Sequence, residues 1–407
     1  MTNNFAKRTI GLQTSPLREN AKKAGTDPDT ISFSFGYPSK DAYPIDTLRQ
    51  ISDNLYKNEE PDSYLQYGHT EGVPELREVL KERLAKTIQL QTAEDLIITS
   101  GATQGIALSV KLFCNEGDIV LCEAQTFHGA VTSIKSNGAI PEGIPKTTSS
   151  NIDFDYLEKR LSEDVDKRIK LLYLIPTFQN PLGTSLTLEE RKAIYALAKK
   201  YDVVIIEDDP YGELQYTGEM IPRIKSLDED GRVIYVGSFS KILAPSTRLG
   251  FLIASSDILE KVIVLKQVAD SHTNNYWQRV LLGFIKEYDF EGHVAFLKDY
   301  YGQKCQLMVD KLNEMPSEYI DFAVPTGGYF INCQLKEGVD IESFYQYLAD
   351  RHVVVIHGNV MSVDHVGFED NFRLNFTRSS TEDIEKGIEV IKEALIVAKN
   401  NELLPTS

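Results

Sequence analysis

The sequence predicts an α/β protein with two parts: a large domain built on a mostly parallel sheet covered by helices, and a smaller α+β domain. Three observations predict it. Between about Leu96 and Ala254, short apolar and β-branched runs alternate with stretches of helical periodicity, the pattern of strand–helix–strand units. Beyond Ser256 the pattern changes to long helices and then to short isolated strands. The chain has 407 residues, 42% hydrophobic and 25% charged, which suits two domains of ordinary size and is too apolar for a disordered chain.

The expected strands of the large sheet are Leu96 to Thr99, Ile119 to Cys122, Lys170 to Ile175, Val203 to Glu207, Val233 to Gly237 and Leu249 to Ala254. Among the helices between them, one starts at Thr187, because Thr187-Leu-Glu-Glu190 is a capping box and Leu188, Ile194, Leu197 and Ala198 supply an apolar face. Long helices are expected to about Asn313, short strands around Tyr329 to Cys333, Val353 to Ile356 and Phe372 to Asn375, and a last helix from about Thr381. No repeat and no Pro/Gly/Ser-rich linker separates modules, so the domains are expected to interweave. Residues 1–45 are then an N-terminal arm and part of the small domain, 46–285 the large domain, and 286–407 the small C-terminal domain.

Charge narrows the function. There are 43 Lys and Arg against 60 Asp and Glu, a net charge of −17, which is a poor match for nucleic acid or an anionic membrane. Cys114, Cys122, Cys305 and Cys333 are far apart, with no C-x-x-C, so reduced buried thiols are expected rather than disulfides or a zinc site. His352 and His357 read as core or surface residues, and no metal is expected. The first twenty residues lack the apolar stretch of a secretion signal, and no apolar run nears the roughly 18 residues of a membrane span. A soluble cytoplasmic protein is expected.

In an open parallel sheet, ligands bind beyond the carboxyl ends of the strands. Those positions carry Ser100-Gly-Ala-Thr-Gln-Gly105, whose glycines and free helix-start amides suit an anion, and Pro176-Thr-Phe-Gln-Asn-Pro-Leu-Gly183, which presents the amide of Asn180. They also carry Glu207-Asp-Asp-Pro-Tyr211, carboxylates at the end of a strand that should be buried, at least one of which needs a partner or a ligand. Ser238-Phe-Ser-Lys241 follows the next strand, with Arg248 seven residues later. Hydroxyls and a guanidinium suit a phosphate, and a desolvated lysine near another cation has a lowered pKa and can attack a carbonyl. Each motif alone is an ordinary turn, cap or solvated charge. Together they describe one pocket.

With Tyr67-Gly and Arg248-Leu-Gly added, these motifs resemble the fold-type I pyridoxal-phosphate aminotransferases of class I/II, in the branch with aminoadipate and kynurenine aminotransferases. The likeness runs from Ser15-Pro-Leu-Arg-Glu19 and Gly36-Tyr-Pro-Ser39 to Phe372-Arg-Leu-Asn-Phe376, in order and spacing. It implies pyridoxal 5′-phosphate as cofactor and a two-stage exchange of an amino group between an amino acid and a 2-oxo acid, with 2-oxoglutarate expected as one partner. Lys241 would carry the internal aldimine and shuttle a proton, and Asp208 would pair with the pyridinium nitrogen. Tyr211 and Asn180 would bond the ring's 3′ oxygen. Backbone amides of Ala102 and Thr103, the hydroxyls of Ser238 and Ser240, and Arg248 would hold the phosphate. Phe127 would stack on the ring, where many relatives have tyrosine. Tyr67 would reach the phosphate from a neighbouring subunit, which implies a homodimer. Arg373 would hold the substrate carboxylate, and Gly36 and Arg18 would complete the substrate contacts, with Tyr37 reshaping the entrance where relatives carry Gly-Gly-Leu-Pro.

Other readings compete. Ser238-x-x-Lys241 and Ser52-Asp-Asn54 mimic penicillin-recognising serine enzymes, but in the wrong order and without K-T-G. No G-x-S-x-G, P-loop or H-E-x-x-H occurs. A non-catalytic cofactor-binding sensor would need a basic helix-turn-helix module ahead of Ile10. A β-lyase or decarboxylase keeps the cofactor and changes the bond broken; Arg373 and Asn180 favour amino transfer.

Overall fold

The computed structural model describes residues 4–10, 12, 14, 29–90, 94–148 and 151–400. Its strands, in chain order, are β1 (Ile31–Ser32), β2 (Glu94–Thr99), β3 (Ile119–Glu123), β4 (Ile140–Ile144), β5 (Ile169–Leu174), β6 (Val204–Asp209), β7 (Val233–Ser238) and β8 (Gly250–Ser255), then β9 (Ile320–Phe322), β10 (Phe330–Leu335), β11 (Val353–Val354), β12 (Ile356–His357) and β13 (Asn371–Asn375). Seven of them form one sheet in the order β2-β8-β7-β6-β5-β3-β4. The β3–β4, β3–β5, β5–β6 and β6–β7 pairs are parallel, while β8 runs antiparallel to both β7 and β2. All of β3 and most of β5, β6 and β7 are buried, as expected for a sheet covered on both faces.

Helices follow the strands because the intervening sequence has the right period and caps. In Leu188–Tyr201 the expected capping box is formed: Glu190 N donates to Thr187 Oγ1 at 3.2 Å and Thr187 N to the Glu190 carboxylate at 2.7 Å. The helix stops at Asp202, whose backbone is left-handed with φ 58°. Ile194 and Ala198 then pack on the sheet.

The second sheet has four strands, β12-β13-β10-β9, all antiparallel, packed with the long helices Phe290–Asn313 and Thr381–Asn400. β1 pairs in parallel with β11, carrying the chain from Ile31 across the front of this sheet. Phe33 N donates to Val354 O, and Asn375 N to Phe33 O. The segment Phe33–Tyr37 is thereby fixed beside the end of β13, facing the carboxyl ends of the large sheet.

Candidate active site

The three carboxylates at the end of β6 take three different partners. Glu207 accepts the backbone amides of Ile224 at 2.9 Å and Lys225 at 2.7 Å. Asp209 pairs with Arg223 at 2.6 Å and accepts the Tyr235 hydroxyl at 2.8 Å. Those two uses are structural. Asp208 accepts the Tyr173 hydroxyl on Oδ2 at 2.7 Å, while its Oδ1 is buried with no hydrogen-bond partner. Burial pushes Asp208 up to about 7, against which the Tyr173 hydrogen bond pulls down, and Asp209 adds its charge. This carboxylate lacks a cation, and one of its oxygens is left for one.

Lys241 stands after β7. Its Nζ donates to Gly36 O at 2.6 Å and lies 5.7 Å from the centre of the Tyr211 ring and 5.4 Å from that of Tyr329. Burial, then the positive charges of Arg373 and Arg248, bring its amine down from 10.5 to about 8. The Tyr329 hydroxyl donates to the Lys241 carbonyl at 3.1 Å and holds this turn. Tyr211 itself is buried, which raises its phenol.

Arg373, on β13, is 2% exposed. Nη1 donates to Asn180 Oδ1 and Nη2 to Ser34 O, both at 2.7 Å, and Nε is buried without a partner. Its guanidinium lies 4.2 Å from the Phe330 ring centre. Burial lowers it to about 10. The backbone of Ser34–Gly36 therefore runs as a rail between two cations, with the Ser34 carbonyl on Arg373 and the Gly36 carbonyl on Lys241.

The third corner is the turn between β2 and the helix Ala102–Phe113. Gly101 has φ +83°, and any side chain there would run into the Arg248 guanidinium. Arg248 Nη2 donates to Ser100 O at 3.3 Å, and Ser240 N to Ser238 Oγ at 3.1 Å. The first helix amides, at Ala102 and Thr103, have no intrahelical acceptor. Behind the turn, Asp270 Oδ2 accepts both Ser100 Oγ and Gln104 Nε2 at 2.7 Å, and the buried Lys266 ammonium closes on Asp270 Oδ1 at 2.8 Å.

The structure thus brings together Lys241 with Gly36 and Tyr211, Arg373 with Asn180, and Arg248 with the Ser100 turn. Phe127 caps the helix His128–Ser136 and packs on the core of the large sheet. Tyr67 is 83% exposed, edge-on to His272 at 5.9 Å. Arg18 lies outside the described residues. Sequence reasoning missed Tyr173, Glu123, Ser34 and Tyr329. Only Tyr173 had a signal, a phenol inside an apolar strand run whose hydroxyl needs a partner.

The residues fit pyridoxal phosphate. Asp208 Oδ1, orphaned and buried, suits a protonated ring nitrogen, and the Gly101 turn with its free amides and Arg248 suits a phosphate.

The aminotransferase class I and II family matches residues 29–391. The chain is 32% identical over 394 residues to aromatic-amino-acid aminotransferase 1 of Thermococcus litoralis, covering 96% of this chain and 94% of that protein. It is 30% identical over 399 residues to 2-aminoadipate transaminase of Thermus thermophilus, covering 96% of each. Among solved structures, a Pyrococcus horikoshii kynurenine aminotransferase is 33% identical with TM-score 0.90, and the Thermus thermophilus alpha-aminoadipate aminotransferase, complexed with N-(5′-phosphopyridoxyl)-L-leucine, is 29% identical with TM-score 0.86; each match covers 98% of both chains. Matched nearly end to end, the chain belongs to the class I and II aminotransferases and is a pyridoxal-phosphate-dependent enzyme that transfers amino groups.

Proposed function

We propose that the enzyme exchanges an amino group between an amino acid and 2-oxoglutarate in two half-reactions at one site, with Lys241 as the base. When bound, pyridoxal phosphate supplies an aldehyde carbon that takes the amino group and a ring that accepts the electron pair left by the α-proton. The rest is the work of this chain's side chains. Arg373, with Asn180, receives the substrate carboxylate in a bidentate pair, which turns the α-carbon toward Lys241. Lys241 Nζ, neutral in a large fraction of molecules near pH 8, takes the α-proton. Asp208 Oδ1 would hold the ring nitrogen in its protonated form, and Tyr211 and Asn180 would bond the ring's 3′ oxygen. Ala102, Thr103, Ser238, Ser240 and Arg248 would hold the phosphate, and Phe127 would stack on the ring.

The carrying observation is the pairing of two buried, partly unsatisfied groups at opposite ends of the site: Asp208 Oδ1 at one, Arg373 Nε at the other. Each awaits an ion of opposite charge. A decarboxylase would have to expel the carboxylate that this clamp holds, and a β-lyase, which keeps it, differs from a transaminase in its products. Tyr67, 83% exposed and edge-on to His272, is free to reach a second copy, which supports completion of the site in a homodimer. The division into 1–45, 46–285 and 286–407 accords with the two sheets and with the pairing of β1 to β11. Among the described residues no helix is long and apolar enough to cross a membrane, and we place the enzyme in the cytoplasm.

The relatives' names make aromatic amino acids, 2-aminoadipate and kynurenine the first donors to try. Incubation of each with 2-oxoglutarate should yield glutamate and the matching 2-oxo acid in equal amounts. Release of ammonia or carbon dioxide instead of glutamate would contradict amino transfer as the reaction.

A further inference from the structure

A second carboxylate is buried beside Asp208. Glu123 ends β3 and is 1% exposed. The Ile175 amide, just beyond β5, donates to its Oε2 at 3.1 Å, and its Oε1 is buried without a hydrogen-bond partner. Since β5 lies between β3 and β6, Glu123 and Asp208 flank the same strand end, and Tyr173 of that strand holds Asp208. The groups facing Glu123 are the Asp208 carboxylate from β6, the Tyr173 phenol from β5, the Cys122 thiol next to it on β3 and the Gln179 amide from the following loop. None is a cation.

Two carboxylate charges this deep, with no counter-ion between them, cost several kcal/mol, so one proton stays in the pair. Its place follows from the partners. Asp208 has a phenol on one oxygen and a second oxygen without a partner, so it would gain a cation with the cofactor bound; Glu123 has neutral amides, of Ile175 and Gln179, and gains no cation. We infer that Glu123 is a positioning residue that holds a proton beside Asp208 and so leaves Asp208 as the single negative charge of the pair. This rests on the reading of Asp208 as the partner of the ring nitrogen. Burial, the largest cause, raises Glu123 to about 8, and the charge of Asp208 adds to the rise.

The pH dependence has a definite sign. A carboxyl whose folded value stands near 8 against an unfolded 4.5 binds more protons in the native state across that interval, so stability falls as pH rises through it. Glutamine cannot ionise, so Glu123→Gln removes that fall. The test is the thermal midpoint of the cofactor-loaded enzyme between about pH 5 and pH 9, with the cofactor absorption band recorded alongside. Wild type and Glu123→Gln should nearly agree at pH 5, and the variant should gain a margin that grows to about pH 8 and then levels off, with the same band at pH 7. Parallel curves would overturn the proton-holding role while the band kept the cofactor site intact; a wild type that takes up no cofactor would instead defeat the site reading. Should Glu123→Gln fail to fold, infrared spectra of wild type and Asp208→Asn at pH 7 decide. Both should show a protonated-carboxyl carbonyl band that fades on the alkaline side, and its absence from wild type would overturn the inference.

Discussion

Arg373 Nη1 donates to Asn180 Oδ1 at 2.7 Å, joining β13 of the four-stranded sheet to the loop after β5 of the seven-stranded one. The bond also aims the guanidinium, because Nη2 is fixed on Ser34 O and its carbon lies 4.2 Å from the Phe330 ring centre. A lysine reaches one of these partners but not both, and loses the planar fork. Arg373→Lys should therefore lower kcat/KM for the amino acid about 100-fold while the cofactor band stays as in wild type. Unchanged kcat/KM would take the carboxylate away from Arg373.

Lys241→Ala removes the amine that both attaches the cofactor and moves the proton. Turnover should fall to background, and borohydride treatment should no longer add the mass of a reduced cofactor to the chain. Full activity in this variant would end the assignment.

Asp208→Asn keeps the shape of the side chain and removes its charge. Cofactor should remain partly bound, because the phosphate corner is untouched, while exchange of the substrate α-proton should slow by about 1,000-fold or more. Exchange at the wild-type rate would contradict the pairing with a protonated ring nitrogen.

The low pKa of Lys241 makes cofactor attachment pH-dependent in a predictable way. Only the neutral amine attacks, so the attachment rate of the cofactor-free enzyme should climb about tenfold per pH unit and flatten above about 8, well before the ordinary lysine value of 10.5. Arg373→Met removes one of the two cations that lower it, and the flattening should move to higher pH. A profile still climbing through pH 10 in wild type would show that burial and the two arginines do not act on this amine as described.

Gly101→Ala tests the phosphate corner without removing a charged group. A Cβ at φ +83° is strained and crowds the Arg248 guanidinium. The variant should lose about 1 kcal/mol or more of stability and bind the cofactor more weakly. Unaltered cofactor affinity would place the phosphate elsewhere.

Much of this fold is legible in the sequence, and the gaps have physical causes. The strands β2, β3, β5, β6, β7 and β8 announce themselves as apolar runs because each is buried on both faces. Ile140–Ile144 does not, since Ile-Pro-Glu-Gly-Ile has both a proline and a glycine, which an edge strand tolerates. The reversed direction of β8 is also invisible, as antiparallel pairing at the edge of a covered sheet leaves no mark on residue period. In the site, the charged residues stand out individually, whereas the carbonyls of Ser34 and Gly36 do not, because any residue type offers a carbonyl. Tyr173 reads as a strand residue, and Glu123 falls one position beyond its expected strand, which the structure extends to include it. Which of Asp208 and Asp209 lacks a cation is settled only with Arg223 in place, 14 residues beyond Asp209, since each of the two keeps one buried oxygen without a hydrogen bond.

The most direct test of the central claim is the absorption spectrum of the purified protein, loaded with pyridoxal phosphate, as single amino acids and then 2-oxoglutarate are added. The yellow band should bleach with particular amino acids and return with the 2-oxo acid. A protein that stays colourless after loading, or whose band no amino acid bleaches, would contradict the account.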